Sequence, residues 1–174
     1  MSRLSSPGSS DLWMVEIGRG VWSRFTFTLG VNNYPVWSPN GRTVVFSSGT
    51  PFNLYRKEAS GAGTEQPITE SGNVQIPTDW SRDGRLLLFY ELAPETQRDV
   101  WVLPVTAGGK PEAGAQPRPY LRTRFNEWHR RFSPGPNPRW VIYQSDETGR
   151  EEVYLQKLHR ARRRFSYQTT FSLA

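Results

Sequence analysis

The residues able to do chemistry in this chain are few. Its 174 residues include no Cys and two His, His129 and His159. A nucleophilic Ser needs a base beside it, and no Gly-x-Ser-x-Gly elbow occurs to present one. Zinc lacks ligands, and there is no Asp-x-Asp-x-Asp-Gly loop for calcium. Carboxylates stand together at Glu151-Glu152 and Asp146-Glu147. In strands and turns such neighbours are usually solvated edge residues, and nothing in the sequence fixes the separation an acid/base pair would need. Gly109-Lys110 is followed by Pro111 where a phosphate-binding loop needs Ser or Thr. His129, within Trp128-His129-Arg130-Arg131, reads as a structural or channel-lining residue rather than a base. The expectation is a chain that is not an enzyme and uses no metal or cofactor.

The elements that must position any site come as a repeat. Residues 34–48, YPVWSPNGRTVVFSS, return at 77–91 as PTDWSRDGRLLLFYE and, altered, at 130–145 as RRFSPGPNPRWVIYQS. Each copy is a hairpin: an aromatic, a Ser, a turn cluster, an Arg, then an apolar run ending in an aromatic. Trp37 to Trp80 is 43 residues and Trp80 to its counterpart Phe132 is 52. Trp37 to Phe46 and Trp80 to Phe89 are both nine, whereas Phe132 to Tyr143 is eleven, so the third turn carries two extra residues. A strand-turn-strand period of this length predicts β-propeller blades. No sustained 3.6-residue periodicity supports a helical array.

After each hairpin, and once before the first, an acid or amide precedes an apolar residue and an aromatic: Asp11-Leu12-Trp13, Asn53-Leu54-Tyr55, Asp99-Val100-Trp101 and Glu152-Val153-Tyr154. The unit is therefore a hairpin of strands A and B, a third strand C carrying that triplet, and a short outer strand D. Candidates for D are residues 24–28, 66–69, 117–121 and 164–167. The runs 43–46 and 86–89 are apolar without alternation, which suits B strands covered on both faces. Asn40 and Asp83 can bond the turn backbone, while Gly41 and Gly84 can take positive φ. Trp37 and Trp80 are expected to fill space at the hairpin base and lock each blade to its neighbour. In the third unit Gly135-Pro136-Asn137-Pro138 replaces the usual turn, so neither a tight turn nor the blade register is assured there.

Composition adds bounds. Seven Trp, seven Tyr and nine Phe are accounted for by packing between sheets. Of the net charge of +6, Lys157, Arg160, Arg162, Arg163 and Arg164 supply five, so the charge is a terminal run rather than a face, which disfavours nucleic-acid binding. The first ten residues lack the apolar centre of a signal peptide, and no run of ~18 apolar residues could span a membrane.

At YPVWSPNGR, PTDWSRDGR and RRFSPGPNPRW the chain resembles the TolB-type, WD-like β-propeller repeats, in particular the arrays attached to bacterial Ser/Thr protein kinases. The resemblance covers residues 11 to about 158. It implies an all-β fold: an antiparallel β-propeller segment of about three to four four-stranded blades, an incomplete ring. The reading along the chain is a flexible leader at 1–10, a partial blade at 11–28, blades at 33–70, 75–121 and 128–158, and a basic tail or atypical last strand at 159–174. The implied function is non-catalytic binding of a protein or peptide by a piece of a larger bacterial sensory or scaffold protein. The alternative is a piece of the propeller that positions substrate in a peptidase-type enzyme. Ligands of propellers meet the channel or loops where inner strands begin, which on this chain means Asn33, Tyr34, Gln75, Trp128, His129 and Arg130. Open blade edges predict self-association.

Overall fold

The computed structural model describes residues 2–6, 8–158 and 171–172, with side chains described from residue 8 to residue 158. All regular structure in these residues is β, and no helix long and apolar enough to cross a membrane is present among them. The strands are β1 (Ser2–Ser6), β2 (Ser9–Glu16), β3 (Val21–Arg24), β4 (Asn33–Trp37), β5 (Thr43–Ser48), β6 (Asn53–Glu58), β7 (Gln66–Pro67), β8 (Val74–Trp80), β9 (Leu86–Ala93), β10 (Gln97–Pro104), β11 (Arg118–Leu121), β12 (Glu127–Phe132), β13 (Trp140–Ser145), β14 (Glu152–Lys157) and β15 (Phe171–Ser172). They form one three-stranded sheet, β1-β2-β3, and three four-stranded sheets, β4-β5-β6-β7, β8-β9-β10-β11 and β12-β13-β14-β15, all antiparallel.

Each hairpin is closed by its Ser. The Ser38 hydroxyl accepts the Thr43 N–H at 2.9 Å and donates to Asn40 Oδ1 at 2.7 Å, which also accepts the Arg42 N–H. Ser81 does the same with Leu86 and Asp83. In the third hairpin Ser133 Oγ accepts from both Arg139 and Trp140, and the Ser133 N–H still meets the Trp140 carbonyl at 2.8 Å. The two extra residues therefore bulge outward from a turn whose base is unchanged, and β13 keeps full register with β14.

Consecutive sheets pack face to face, the inner strand of each lying against the sheet before it: β4 against β2, β8 against β4, β5 and β6, and β12 against β8, β9 and β10. Three apolar layers result. Leu12, Phe25, Val44 and Phe46 fill the first, Val45, Leu54, Trp80, Leu87 and Leu103 the second, and Leu88, Val100, Phe132, Val141 and Tyr143 the third. The side chains of β5 and β9 thus feed two layers alternately, which explains the unbroken apolar runs at 44–46 and 86–89. β13 instead alternates, with Val141 and Tyr143 buried and Ile142 38% exposed, because no described sheet covers its other face. The fourth sheet does not come round to the first, so the ring is open.

Three expectations are corrected. Residues 2–6, read as leader, form β1 and pair with β2 from Ser2↔Leu12 to Ser6↔Ser9. A ladder draws on backbone groups and asks nothing apolar of its strand, so a Ser-rich segment can satisfy the edge of β2. The D strands end sooner than expected, β3 at Arg24 and β7 at Pro67. Beyond them Thr26 and Thr69 take over the ladder, their hydroxyls accepting the N–H of Leu12 and Leu54. Trp80 and Phe132 are buried, but Trp37 is 48% exposed, since the sheet it faces has only three strands. The fourth sheet is completed by β15, while the D candidate at 164–167, His159 and the basic run at 160–164 lie outside the described residues.

Candidate binding site

The inner strands β4, β8 and β12 carry the expected site residues, and each is broken by a bulge. Between Asn33 and Val36, β4 spends one more residue than β5 does, and β12 does the same between Trp128 and Arg131. The extra residue brings with it a left-handed backbone at Tyr34 (φ 58°) and at His129 (φ 50°), which occupy the same place in their units, three residues before Trp37 and Phe132. Such a backbone is uncommon for a residue with a side chain, and a bulge re-aims that side chain. The equivalent residue of β8 is Pro77, whose ring fixes φ near −65°. The bulge there, between Pro77 and Asp79, falls within the same interval of the unit but is built on a different backbone.

The three bulged segments line one cleft of about 420 Å³. Tyr34, Pro35 and Val36 form one side and Ile76, Pro77 and Thr78 the middle. Trp128, His129, Arg130 and Arg131 form the other side, with Tyr90 of β9 and Arg98 of β10. Of the expected residues, Tyr34, Trp128, His129 and Arg130 are brought together here. Asn33 lies outside the lining, its Oδ1 accepting from Ser10 Oγ at 3.3 Å. Gln75 is buried and ties its blade to the one before, accepting from Thr69 Oγ1 of the second sheet and donating to Glu91 of its own at 2.7 Å. It belongs to a second repeated position, one step before the strand face that meets the cleft, filled by the buried polar residues Asn32, Gln75 and Glu127. Each receives a hydrogen bond from a preceding Thr: Thr28, Thr69 and Thr123. Tyr90, Arg98 and Arg131 were missed by the sequence reading. Arg131 follows directly on expected residues, but Arg98 and Tyr90 belong to strands whose local pattern carries no sign of the cleft.

Beneath the β12 side lies a buried polar cluster. Arg130 is 1% exposed, its guanidinium 4.8 Å from the Tyr90 ring centroid and its Nη2 donating to the Arg98 carbonyl at 3.2 Å. Among the described residues its Nε has no hydrogen-bond partner, and neither do Glu127 Oε2 and Asp99 Oδ1. Burial pushes the Glu127 carboxyl up to about 7, against the pull of Thr123 and Arg130, and brings Arg130 down to about 10. Burial also raises Asp99, although Thr96 and Arg122 bond its other oxygen. On the open side, the Arg98 guanidinium lies 5.7 Å from the Trp128 ring, and His129 Nδ1 is 3.1 Å from Gln144 Oε1. The imidazole is thus oriented by an amide, with no nucleophile in the contact. Aromatic rings and cations in a concave site supply recognition.

Radially set antiparallel sheets whose inner strands converge on one cleft make this chain an open segment of a β-propeller. No protein-family model matches the chain, and no curated protein matches its sequence. Solved structures do match. A putative TolB from Agrobacterium tumefaciens superposes with a TM-score of 0.70 at 20% identity, over 90% of this chain and 56% of that one. TolB from Acinetobacter baumannii gives 0.66 at 16% identity, over 87% of this chain and 36% of that one. The tricorn protease gives 0.41 at 14% identity, a likeness too slight to carry an argument. The chain spans about half the length of the first structure and about a third of the second, and at these identities the likeness is one of fold.

Proposed function

We propose that this chain is a non-catalytic binding module, part of a longer bacterial sensory or scaffold protein built on a TolB-like propeller, and that a segment of a protein or peptide ligand occupies the cleft between β4, β8 and β12. The observation that carries this reading is the convergence of Tyr34, Trp128 and His129 from separate blades on one concave surface, two of them on left-handed bulges. A backbone strained at two equivalent places is stored where a site needs side chains aimed. The kinase-linked arrays that the repeat resembles are one setting for such a module. Substrate positioning for a peptidase has no feature of the cleft in its favour.

The test is to recover a ligand by photo-crosslinking from the cleft, purify it, and measure its affinity by calorimetry. Tyr34→Ala and Trp128→Ala are expected to weaken binding by about 1–3 kcal/mol each, as for aromatic anchors, while Ile142→Ala on the uncovered face of β13 changes nothing. Unchanged affinity in both aromatic variants would remove the cleft from consideration. Light scattering on the eluted protein reports the self-association expected from the exposed apolar side chains of the outer faces, Trp22 and Val21 on β3 and Ile142 and Val153 on the last sheet.

A further inference from the structure

Every ionisable cationic side chain of the cleft comes from one side, and no Asp or Glu lines it. Arg98, His129, Arg130 and Arg131 stand on β10 and β12, whereas the β4 and β8 sides present Tyr34, Pro35, Ile76 and Pro77. Arg98 is half-buried, and the one contact of its guanidinium among the described residues is the Trp128 ring. Arg131 gives Nη1 to the carbonyls of Thr78 and Arg130, and the carboxylate that acts on its charge, Asp79, stands outside the cleft lining. Arg130 sits just beneath, its charge opposed mainly by Glu127, a carboxyl that burial holds partly protonated at neutral pH. Low-dielectric walls strengthen such a field and aim it into the cleft.

Resting on the reading of this cleft as the ligand site, we infer that it selects peptide segments carrying a carboxylate. Arg98 takes the acidic group against the β12 side, and an apolar or aromatic neighbour of that group lies between Trp128 and the Tyr34–Pro35 wall. A guanidinium matches a carboxylate with two parallel N–H donors, and the Trp128 ring, 5.7 Å from the Arg98 guanidinium, attracts it to the β12 side without using those donors. A nucleic-acid strand would need cations strung along its backbone. These are gathered on one side of an otherwise uncharged cleft.

Three pools of short random peptides test this on the immobilised protein: one without Asp or Glu but with free C-termini, one with Asp and Glu but amidated, and one with neither acid. Mass spectrometry of the retained fraction reads the outcome. The expected result is retention of one or both acid-bearing pools over the acid-free pool by about tenfold or more. Members with an aromatic residue beside the acid should dominate, and which pool wins tells a terminal from a side-chain carboxylate. Arg98→Gln, checked for folding by circular dichroism, is expected to abolish the preference, and Arg98→Lys to keep part of it. Equal retention of all three pools, lost in Tyr34→Ala, would overturn carboxylate selection while leaving the cleft as a peptide site. No retention of any pool would overturn both. Tighter binding of an oligothymidylate than of any peptide, falling steeply with salt, would overturn the inference in favour of nucleic acid.

Discussion

Replacing Gly109 by Ala probes the seating of Trp80 between the second and third sheets. Gly109 follows β10 in a turn that its N–H closes onto the Thr106 carbonyl at 2.8 Å, and its φ is +76°. A Cβ built there would stand 2.9 Å from Trp80 Cη2 and 3.5 Å from Thr43 Cγ2. Both neighbours are themselves packed, since Trp80 is 5% and Thr43 1% exposed, so neither can swing clear. Two costs add. A left-handed backbone costs a residue with a Cβ about 1–2 kcal/mol, and an extra methyl in a filled layer about 1–3 kcal/mol. Gly63→Ala separates them, because Gly63 has nearly the same φ, +74°, with no atom within 4 Å of the added Cβ. Urea unfolding followed by Trp fluorescence should show Gly109→Ala losing about 2–5 kcal/mol and Gly63→Ala only the first part. Adding Trp80→Phe, which shortens the ring facing the new methyl, should return some of the difference. If the two glycine variants lost stability equally, within about 0.5 kcal/mol, Trp80 would not be held against that turn.

Two further outcomes follow from the polar groups. Glu127 has a folded-state pKa of about 7, raised by burial above the ordinary 4.5, so the folded state holds its proton more tightly than the unfolded one. Stability should therefore fall as pH rises through this window, and Glu127→Gln, which keeps an acceptor for Thr123, should be more stable than the parent above pH 7 by on the order of 1–3 kcal/mol. That advantage should vanish below about pH 4.5 in the same unfolding measurement; an advantage independent of pH would refute it. Ser81→Ala should cost about 1–3 kcal/mol by removing the acceptor of the part-buried Leu86 N–H, measured by urea unfolding, and restoring a hydroxyl with Thr at that position should recover part of it.

What the sequence made legible is what short chain segments decide. The Ser and the Asn or Asp two residues on close hairpins within five residues, so WSPNGR and WSRDGR announced themselves, and the unbroken apolar runs of β5 and β9 announced sheets on both sides. Four of the six expected site residues meet in the cleft because they begin inner strands, a place the repeat itself marks. The rest depended on neighbours distant in sequence. Trp37 and Trp80 look alike, yet one is half exposed because the sheet beside it has three strands. Ser2–Ser6 pairs with β2 without any apolar pattern to announce a strand, and Arg98 enters the cleft from a C strand whose visible signature, Asp99-Val100-Trp101, concerns packing. Gln75 misled because the first residues of an inner strand serve two purposes, and its turn falls to the polar tie between neighbouring blades.

Pro77 gives the cleft a direction. Were all three bulges built on the same left-handed backbone, successive blades would offer the same corner repeatedly, and a bound segment could slip by one blade at little cost. With a ring that forbids the left-handed backbone in the middle strand, the like corners at Tyr34 and His129 are separated by a different one, so a segment shifted by one blade would meet a changed backbone at each inner strand.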